Sequence, residues 1–233
     1  MTNPLYPVFL RLDNLRMLVV GAGEVGEEKL RFILKSSPNA DITVVAPWMG
    51  PDLQELLDKY EYVGEEWVIS ASTRTGDVDF TGDKLMSSSQ KDQFRPGKVR
   101  YWAREFRAED VVDFDLIVAA TNITEVNHAV HAAAKKHRRL VNVADTPHLC
   151  DFYLGSIVTR GPLKVAISTN GQSPTFAKRF RQWLEAELPA SETPALLNNL
   201  KIFRDRLTGD FAAKVKALND ITASLLAKEQ TED

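Results

Sequence analysis

The sequence predicts an α/β fold: a Rossmann-like parallel sheet in the N-terminal part, then a small α+β segment, then a C-terminal helical domain. Three observations predict it. Short apolar runs alternate with helix-like patterns through the first half of the chain, which is typical of a parallel sheet. The first of these runs leads directly into Gly21-x-Gly23-x-x-Gly26. From residue 194 onward the pattern is helical throughout.

The first strand and the turn after it carry the strongest motif. Residues 17–20 predict a buried strand and residues 26–35 predict the helix that follows. We expect Gly21 to make a tight turn, Gly23 to let the backbone approach a pyrophosphate, and Gly26 to let the helix lie close to the strand. Free N–H groups and the helix dipole would then hold the phosphate charge. A glycine-rich turn without a ligand is the alternative.

The second strand, at residues 42–46, ends in an unusual way for this kind of site. Pro47 and Trp48 stand where an acidic residue would normally bind the ribose 2′-hydroxyl. No arginine stands there for a 2′-phosphate either. The choice between NAD and NADP therefore stays open. A short helix is predicted at residues 51–60.

The rest of the first half continues the alternation. Further strands are predicted at residues 99–105, 116–120 and 140–144. The helix predicted at 125–137 has an inner face made of Val126, Ala129, Val130, Ala133 and Ala134. Residues from about 60 to 97 break the rhythm. One added edge strand is possible at 67–72, and we interpret the rest as a solvated, mobile insertion, with a functional lid as the alternative.

After Asp145 the pattern changes to a strand–turn–strand signal and then to helices. Strands are predicted at 152–158 and 163–168. Ser173 as N-cap and Pro174 as first residue predict a helix that runs to residue 187. A further helical stretch is predicted at 194–228 with a break at Gly209. Three regions follow, with bounds at 1–148, 149–190 and 191–233.

Composition excludes several classes of protein. The chain has 233 residues, 44% of them hydrophobic and 26% charged, with a net charge of −3, which argues against nucleic-acid binding. Cys150 is the single cysteine, so no internal disulfide can form, which fits a reducing cytoplasm. His128 and His131 share a helix, but no third ligand of suitable spacing is evident, so no metal site is predicted. We expect no targeting segment and no membrane span.

Polar side chains follow the predicted strands at the edge of the sheet where open α/β folds bind ligands. Thr121 and Asn122 end one strand and are candidates for cofactor binding. Asp145 ends another, three residues after Asn142, and is a candidate proton acceptor. A turn former or helix cap is the alternative for Asp145, and a plain loop residue is the favoured interpretation of His148.

A second polar group lies nearer the C-terminus. The loop before the helix at 175–187 is rich in hydroxyls and amides, a composition that can hold carboxylates or phosphates: Ser168, Thr169, Asn170 and Gly171. The helix itself carries a positive cluster, Lys178, Arg179 and Arg181. The alternatives are a plain strand–helix connection and a solvated helix face.

Several segments together resemble the precorrin-2 dehydrogenase / sirohydrochlorin ferrochelatase family, which includes the N-terminal module of bacterial siroheme synthase. In the first half these are Tyr6-Pro-Val-Phe-Leu-Arg-Leu12, Gly21-Ala-Gly-Glu-Val-Gly26, Leu116-Ile-Val-Ala-Ala-Thr-Asn122 with Asn127, and Val141-Asn-Val-Ala-Asp145. In the second half they are Asp151-Phe-Tyr-Leu-Gly-Ser-Ile157, Gly161-Pro-Leu-Lys-Val-Ala-Ile-Ser168 and Gly171-x-Ser-Pro174.

The resemblance implies NAD-dependent oxidation of precorrin-2 to sirohydrochlorin, with Fe²⁺ insertion in some members. It implies a homodimer interlocked through the middle segment, residues 149–190, and a tetrapyrrole held between the nucleotide domain and the partner. Asp145 matches the functional aspartate. The nucleotide contacts correspond to Glu24, Val25, Pro47 and Trp48. Carboxylates of the substrate would be anchored by Lys164, Lys178, Arg179 and Arg181, and Thr169 stands where a serine is common.

Two other functions stay open on the residues alone. One is an NAD(P)-binding oxidoreductase that acts on another small acid. The other is a nucleotide-sensing module without catalysis.

Overall fold

The fold was analysed in a computed structural model, which describes residues 3–63, 66–68 and 97–223. The chain divides into two compact units. The first comprises Met1–Gly155 with Ser168–Pro174, and the second comprises Ser156–Ile167 with Thr175–Asp233. The bounds predicted at 148/149 and 190/191 stay a prediction.

The first unit alternates strands and helices as its apolar runs predict. The strands are β1 Arg16–Val20, β2 Asp41–Ala46, β3 Glu61–Val63, β4 Glu66–Val68, β5 Lys98–Ala103, β6 Leu116–Ala119 and β7 Leu140–Val143. The helices are α1 Glu24–Ser36, α2 Pro51–Leu57 and α3 Thr124–Lys136, with short 3₁₀ turns at Ala108–Asp113 and Pro147–Leu149.

These strands form one mixed sheet in the order β3-β4-β5-β2-β1-β6-β7. The five strands β5-β2-β1-β6-β7 are parallel, while β3 and β4 form an antiparallel hairpin on the edge of β5. The chain passes from β1 outward to β2 and β5, and then resumes on the other side of β1 at β6. This reversal creates a switch point between β1 and β6, where open α/β sheets bind their ligands. The predicted Rossmann-like α/β fold is confirmed.

Both faces of the sheet are buried, which explains why the central strands are continuous apolar runs. In β1, Met17 and Val19 belong to one core cluster and Leu18 and Val20 to the other. The first cluster includes Leu30, Ile33 and Leu34 of α1. The second includes Val130, Ala133 and Ala134 of α3.

Three predictions for this unit need correction. On α3, Ala129 is exposed, and the inner face is completed by Asn127, which is buried. Helix α2 ends at Leu57, three residues before the predicted end. The possible edge strand at 67–72 is present in part as β4, but it lies between β3 and β5, so β3 is the edge strand. Residues 69–96 of the predicted insertion lie outside the described residues.

The second unit consists of a β-hairpin and three helices. Strands β8 Ser156–Arg160 and β9 Leu163–Ile167 pair antiparallel. The helices are α4 Pro174–Glu187, whose first residue belongs to the first unit, α5 Glu192–Arg206 and α6 Phe211–Thr222. The guanidinium of Arg160 donates hydrogen bonds to the backbone oxygens of Glu185 and Leu188, at 2.6 and 2.5 Å, so it fastens the hairpin to the end of α4.

One strand in this region begins later than predicted, while the predicted break between the last two helices is present. The strand predicted from residue 152 begins only at Ser156, because Phe152 and Leu154 pack against the first unit's core instead. The predicted helical stretch after residue 194 is interrupted as expected at Gly209, which has φ +101°. Asp210 then caps α6 by accepting a hydrogen bond from the N–H of Ala213 at 2.8 Å. Among the helices described, none is long and apolar enough to cross a membrane.

Candidate functional site

The turn between β1 and α1 requires glycine at two positions. Gly21 has φ +111°, and a Cβ there would lie 2.4 Å from the carbonyl oxygen of Ala120. A Cβ on Gly26 would lie 2.2 Å from the carbonyl oxygen of Gly21. Both obstacles are backbone atoms, so neither can move aside at little cost. The roles predicted for these two glycines, a tight turn and a close helix approach, agree with the structure.

Gly23 differs, because the space beside it is open. A Cβ built there would meet nothing nearer than the Trp48 ring, at 3.9 Å. Gly23 is the N-cap of α1 and makes no side-chain cap, so the first N–H groups of the helix have no capping side chain. In helix geometry the N–H groups of Glu24, Val25 and Gly26 point out along the axis. An open backbone cradle at a helix N-terminus fits a pyrophosphate.

Trp48 lies beside this cradle and is 61% exposed. Two residues further on, the N–H of Gly50 donates to the carbonyl oxygen of Ala22 at 3.0 Å, which brings this turn close to the glycine turn. A Cβ on Gly50 would lie 2.9 Å from that oxygen and 3.2 Å from the Trp48 ring. Sequence reasoning did not single out Gly50, because only the three-dimensional approach of two turns makes it necessary.

The end of β2 has a second support that the sequence did not reveal. The hydroxyl of Tyr101 on β5 donates to the carbonyl oxygen of Ala46 at 2.9 Å. Burial raises the pKa of Tyr101, so the phenol stays a neutral donor. Pro47, the next residue, is exposed. The hydrogen bond from Tyr101 therefore anchors the end of β2 from which the chain continues to Pro47 and Trp48.

After β6, Thr121 is held by Asn127 through three hydrogen bonds. The Thr121 hydroxyl and N–H both donate to Oδ1 of Asn127, at 2.8 and 3.3 Å, and Nδ2 of Asn127 donates back to the Thr121 carbonyl oxygen at 2.9 Å. Asn127 is thus a positioning residue for this loop. Asn122, the other predicted residue here, is exposed.

Asp145 follows β7 at the same edge of the sheet. It adopts φ +55°, a left-handed conformation that asparagine and aspartate tolerate best among residues with a side chain. Its side chain is exposed, and within the described part of the chain its carboxylate accepts no hydrogen bond. The backbone around it is anchored, since the N–H of Ala144 donates to Ala119 at 2.9 Å. A carboxylate exposed on an anchored turn at this edge of the sheet is accessible to a bound substrate.

Of three residues near Asp145 in sequence, Asn142 and Cys150 make structural hydrogen bonds and His148 gains no role. Asn142 donates from Nδ2 to the Phe152 carbonyl oxygen at 2.8 Å, so it ties the chain after the site to the sheet. Burial raises the pKa of the Cys150 thiol, whose sulfur accepts a hydrogen bond from the N–H of Val143. His148 is exposed in a 3₁₀ turn and gains no role from the structure.

The polar loop 168–171 is a compact turn. Asn170 and Gly171 have φ +53° and +77°, and Ser168 accepts a hydrogen bond from the N–H of Asn170 at 3.2 Å. The Thr169 hydroxyl accepts from the N–H of Ser173 at 3.1 Å, at the start of α4. Threonine therefore fills this structural role, and the loop keeps its backbone shape.

In the predicted basic cluster on α4, one cation forms an ion pair and two form none with a described residue. Arg181 forms an ion pair with Glu185 at 2.5 Å. Lys178 and Arg179 are exposed and make no ion pair with any described residue. On β9, burial lowers the pKa of Lys164. Available charge on α4 thus rests with Lys178 and Arg179.

The glycine turn at the switch point, with its open cradle, defines a Rossmann-like dinucleotide-binding protein. No group of three His, Cys, Asp or Glu side chains among residues 3–63, 66–68 and 97–223 is placed to hold a metal ion. A family model described as "Putative NAD(P)-binding" matches residues 8–156, and one described as "Sirohaem biosynthesis protein central" matches residues 160–187. The chain belongs to this NAD(P)-binding family, and its cofactor is a nicotinamide dinucleotide.

Relatives with longer chains share this region. "Siroheme synthase 3" of Aeromonas hydrophila is 35% identical over 183 residues, which is 78% of this chain and 31% of that protein. "Siroheme synthase" of Nitrosospira multiformis is 32% identical over 206 residues, which is 88% of this chain and 36% of that protein. The chain thus spans about a third of the length of these curated relatives.

One solved structure of similar length also matches. "SirC, precorrin-2 dehydrogenase" superimposes with a TM-score of 0.62 at 25% identity, covering 93% of this chain and 89% of that one. The likeness therefore extends over both units of the chain.

Proposed function

We propose that this chain catalyses the NAD-dependent dehydrogenation of precorrin-2 to sirohydrochlorin. The observation that carries the proposal is the combination, at one edge of one sheet, of an open glycine cradle and an exposed Asp145 whose carboxylate accepts no hydrogen bond from a described residue. Support comes from the likeness to SirC over nearly the whole chain. The match to siroheme synthases agrees with it.

The chemistry removes a hydride and a proton from the substrate. Bound NAD supplies the hydride acceptor. The backbone N–H groups of Glu24 and Val25 and the dipole of α1 hold the pyrophosphate, while Gly23 leaves room for it. Thr121, Asn122, Pro47 and Trp48 line the rest of the cofactor's path in this proposal.

Asp145 acts as the proton acceptor. As hydride leaves a ring carbon, positive charge develops on the substrate, and a carboxylate beside it stabilises that charge and takes up the proton. The exposure of Asp145 and the lack of a described hydrogen-bond donor to its carboxylate support this role.

The substrate's carboxylates need cations and N–H donors. We assign them to Lys178 and Arg179 on α4 and to the turn of Ser168, Thr169, Asn170 and Gly171. The exposure of both cations and their freedom from described ion pairs support this assignment. Arg181 is a poorer anchor, because Glu185 already neutralises it.

We further propose that the chain works in the cytoplasm as a homodimer interlocked through residues 149–190. A single cysteine fits a reducing compartment. Sedimentation at several concentrations tests the oligomer: a species of twice the chain mass is expected, and a monomer at micromolar concentration would refute it.

The function is tested by anaerobic incubation with precorrin-2 and either NAD or NADP, followed by visible absorbance. We expect sirohydrochlorin to form with NAD. Oxidation of a different small acid, with precorrin-2 untouched, would favour another oxidoreductase. Tight dinucleotide binding without any turnover would favour a sensing module.

A further inference from the structure

Trp48 is a large aromatic side chain that stays largely exposed in the turn after β2. Among the residues that the structure describes, none forms an aromatic or cation–π contact with its indole, and none accepts a hydrogen bond from it. A single exposed aromatic side chain is ordinary on a protein surface. The position of Trp48 beside the glycine turn is what makes it a candidate for ligand binding.

This turn lies where the adenosine half of a dinucleotide is expected. In a Rossmann-like fold the pyrophosphate binds at the N-terminus of the helix after β1, and the adenosine ribose binds at the end of β2. The adenine is attached to that ribose, so the residues just beyond β2 border it. The Trp48 ring also approaches the pyrophosphate cradle, since it lies 3.9 Å from a Cβ built on Gly23. The indole therefore borders the path from the pyrophosphate to the adenine.

The turn that carries Trp48 is attached to the first unit on both sides of the ring. Before it, the end of β2 is anchored by the hydrogen bond from Tyr101. After it, Met49 packs against the first core cluster, and the N–H of Gly50 donates to the carbonyl oxygen of Ala22 at 3.0 Å. A ring on a backbone that is held in place before the ligand arrives loses little freedom on binding, which favours affinity.

A second tryptophan near the same end of the sheet already has ring partners. Trp102 on β5 is paired in register with Val45 of β2. Its ring makes an edge contact with Phe114, at 5.9 Å between centroids, and the guanidinium of Arg104 lies 4.8 Å from its centroid. Of the two indoles, that of Trp48 is the one left uncovered.

The residues after β2 also carry no charge. Pro47, Trp48 and Met49 stand where a carboxylate would otherwise accept a hydrogen bond from the ribose 2′-hydroxyl. Without that carboxylate, the adenosine half of the cofactor needs another source of affinity. Aromatic side chains supply such affinity to bases by stacking, which requires no hydrogen bond to the sugar.

We propose that Trp48 stacks on the adenine ring of the bound dinucleotide and replaces the missing carboxylate in recognising the adenosine half. This inference rests on the proposed function, because it concerns the cofactor of that reaction. It adds the residue that binds the base and the kind of contact that it makes. It also assigns the ribose 2′-hydroxyl no part in the recognition.

The test uses the full chain and ADP, which contains the adenine, the ribose and two linked phosphates. In calorimetry, Trp48→Ala should weaken ADP binding by about 5- to 100-fold, the loss that follows removal of an aromatic partner of a base. Trp48→Phe keeps a flat ring and should stay within about threefold of the wild type. Inorganic pyrophosphate has no base, so its affinity should be the same in Trp48→Ala and in the wild type.

Two further measurements report the stacking itself. ADP should quench part of the tryptophan emission of the wild type and none of that part in Trp48→Phe, although this variant still binds ADP in calorimetry. The 2′-deoxy analogue of ADP should bind within about twofold of ADP. A loss of about tenfold or more, the usual cost of a lost hydrogen bond to a charged group, would show that a carboxylate binds the hydroxyl and would overturn the proposal.

A matched control separates the loss of stacking from the loss of any exposed aromatic ring. Tyr62 on β3 is 59% exposed, close to the 61% of Trp48, and β3 is separated from β2 by two strands of the sheet. Tyr62→Ala should bind ADP like the wild type. Thermal melting verifies that every variant is folded.

Equal ADP affinity in Trp48→Ala and the wild type would overturn the proposal, whether or not the variant changes the sedimentation of the protein. So would an equal loss of ADP and pyrophosphate affinity, because Trp48 would then shape the cradle and not bind the base. A wild type that does not bind ADP would overturn it as well. A wild type that binds ADP through Trp48 but fails to oxidise precorrin-2 would overturn the proposed function instead.

Discussion

The two units of the chain differ in how they bury apolar surface. The first has two core clusters, one on each face of its sheet, with Leu18 and Ile117 fully buried. In the described part of the second, the buried apolar residues are Val158 and Ala177 with Ile167 at 9% exposure. Helices α5 and α6 have no buried residues at all. The apolar side chains of the first unit are therefore mostly buried within it, whereas many of those described in the second unit are exposed.

The largest expected effect concerns the chemistry of the first unit. Asp145→Asn removes the proton acceptor and leaves the fold and the glycine turn intact, so kcat should fall by about 10²- to 10⁴-fold. NAD affinity, measured by calorimetry, should stay within twofold. Asp113→Asn, which changes another exposed carboxylate, is the control. Wild-type turnover in Asp145→Asn would remove Asp145 from the mechanism.

Substitution of one apolar residue in each unit tests the difference in burial between the two units. Leu18→Ala should lower the free energy of unfolding by about 2–5 kcal/mol, because it leaves a cavity in the sheet core. Phe211→Ala, on α6, should change it by less than about 0.5 kcal/mol, since the ring is largely exposed. Urea denaturation measures both. A large loss in Phe211→Ala would mean that this surface is covered in solution and that the contrast between the units is smaller than described.

Substitutions at two glycines of the same turn distinguish an effect on folding from an effect on cofactor binding. Gly26→Ala places a methyl group against the Gly21 carbonyl oxygen and should cost about 1–3 kcal/mol or more of stability. Gly23→Ala meets only open space, so the melting temperature should hold while NAD affinity falls. Calorimetry and thermal melting on both variants check this. Equal NAD affinity in Gly23→Ala and wild type would place the pyrophosphate elsewhere.

The same difference between buried and exposed elements explains which parts of the fold could be predicted from the sequence. Strands β1, β2 and β6 were predicted to within one residue at each end, because both faces of a parallel sheet are buried and the apolar run is the strand. The side of α3 was predicted less well: Ala129 is exposed and Asn127 is buried, since Asn127 is needed to hold Thr121. Gly50 and Tyr101 were missed for a similar reason, because their partners are distant in sequence.

The smallest expected effect is a change in how the stability of the first unit depends on pH, and it concerns Asp110. Burial would raise the pKa of Asp110, but hydrogen bonds from Arg104 and from the N–H of Arg107 outweigh it and lower the pKa. The ionised carboxylate thus stabilises the fold above its ordinary titration range near pH 4, and this stabilisation is lost as the pH falls below that range.

Asp110→Asn should therefore destabilise the protein by about 1–2 kcal/mol at pH 7. The difference from wild type should shrink in unfolding experiments at pH 3. A constant difference from pH 7 to pH 3 would show that the ion pair with Arg104 does not cause the shift.

The central claim is that a dinucleotide in the glycine turn drives oxidation of a tetrapyrrole. Its most direct test is an anaerobic reaction of wild type and Gly23→Asp with NAD and precorrin-2, measuring NADH and sirohydrochlorin together. The account predicts equal amounts of both products from the wild type and neither from Gly23→Asp, because the new carboxylate fills and repels the pyrophosphate position. Sirohydrochlorin formed without NADH, or formed equally by the variant, would contradict it.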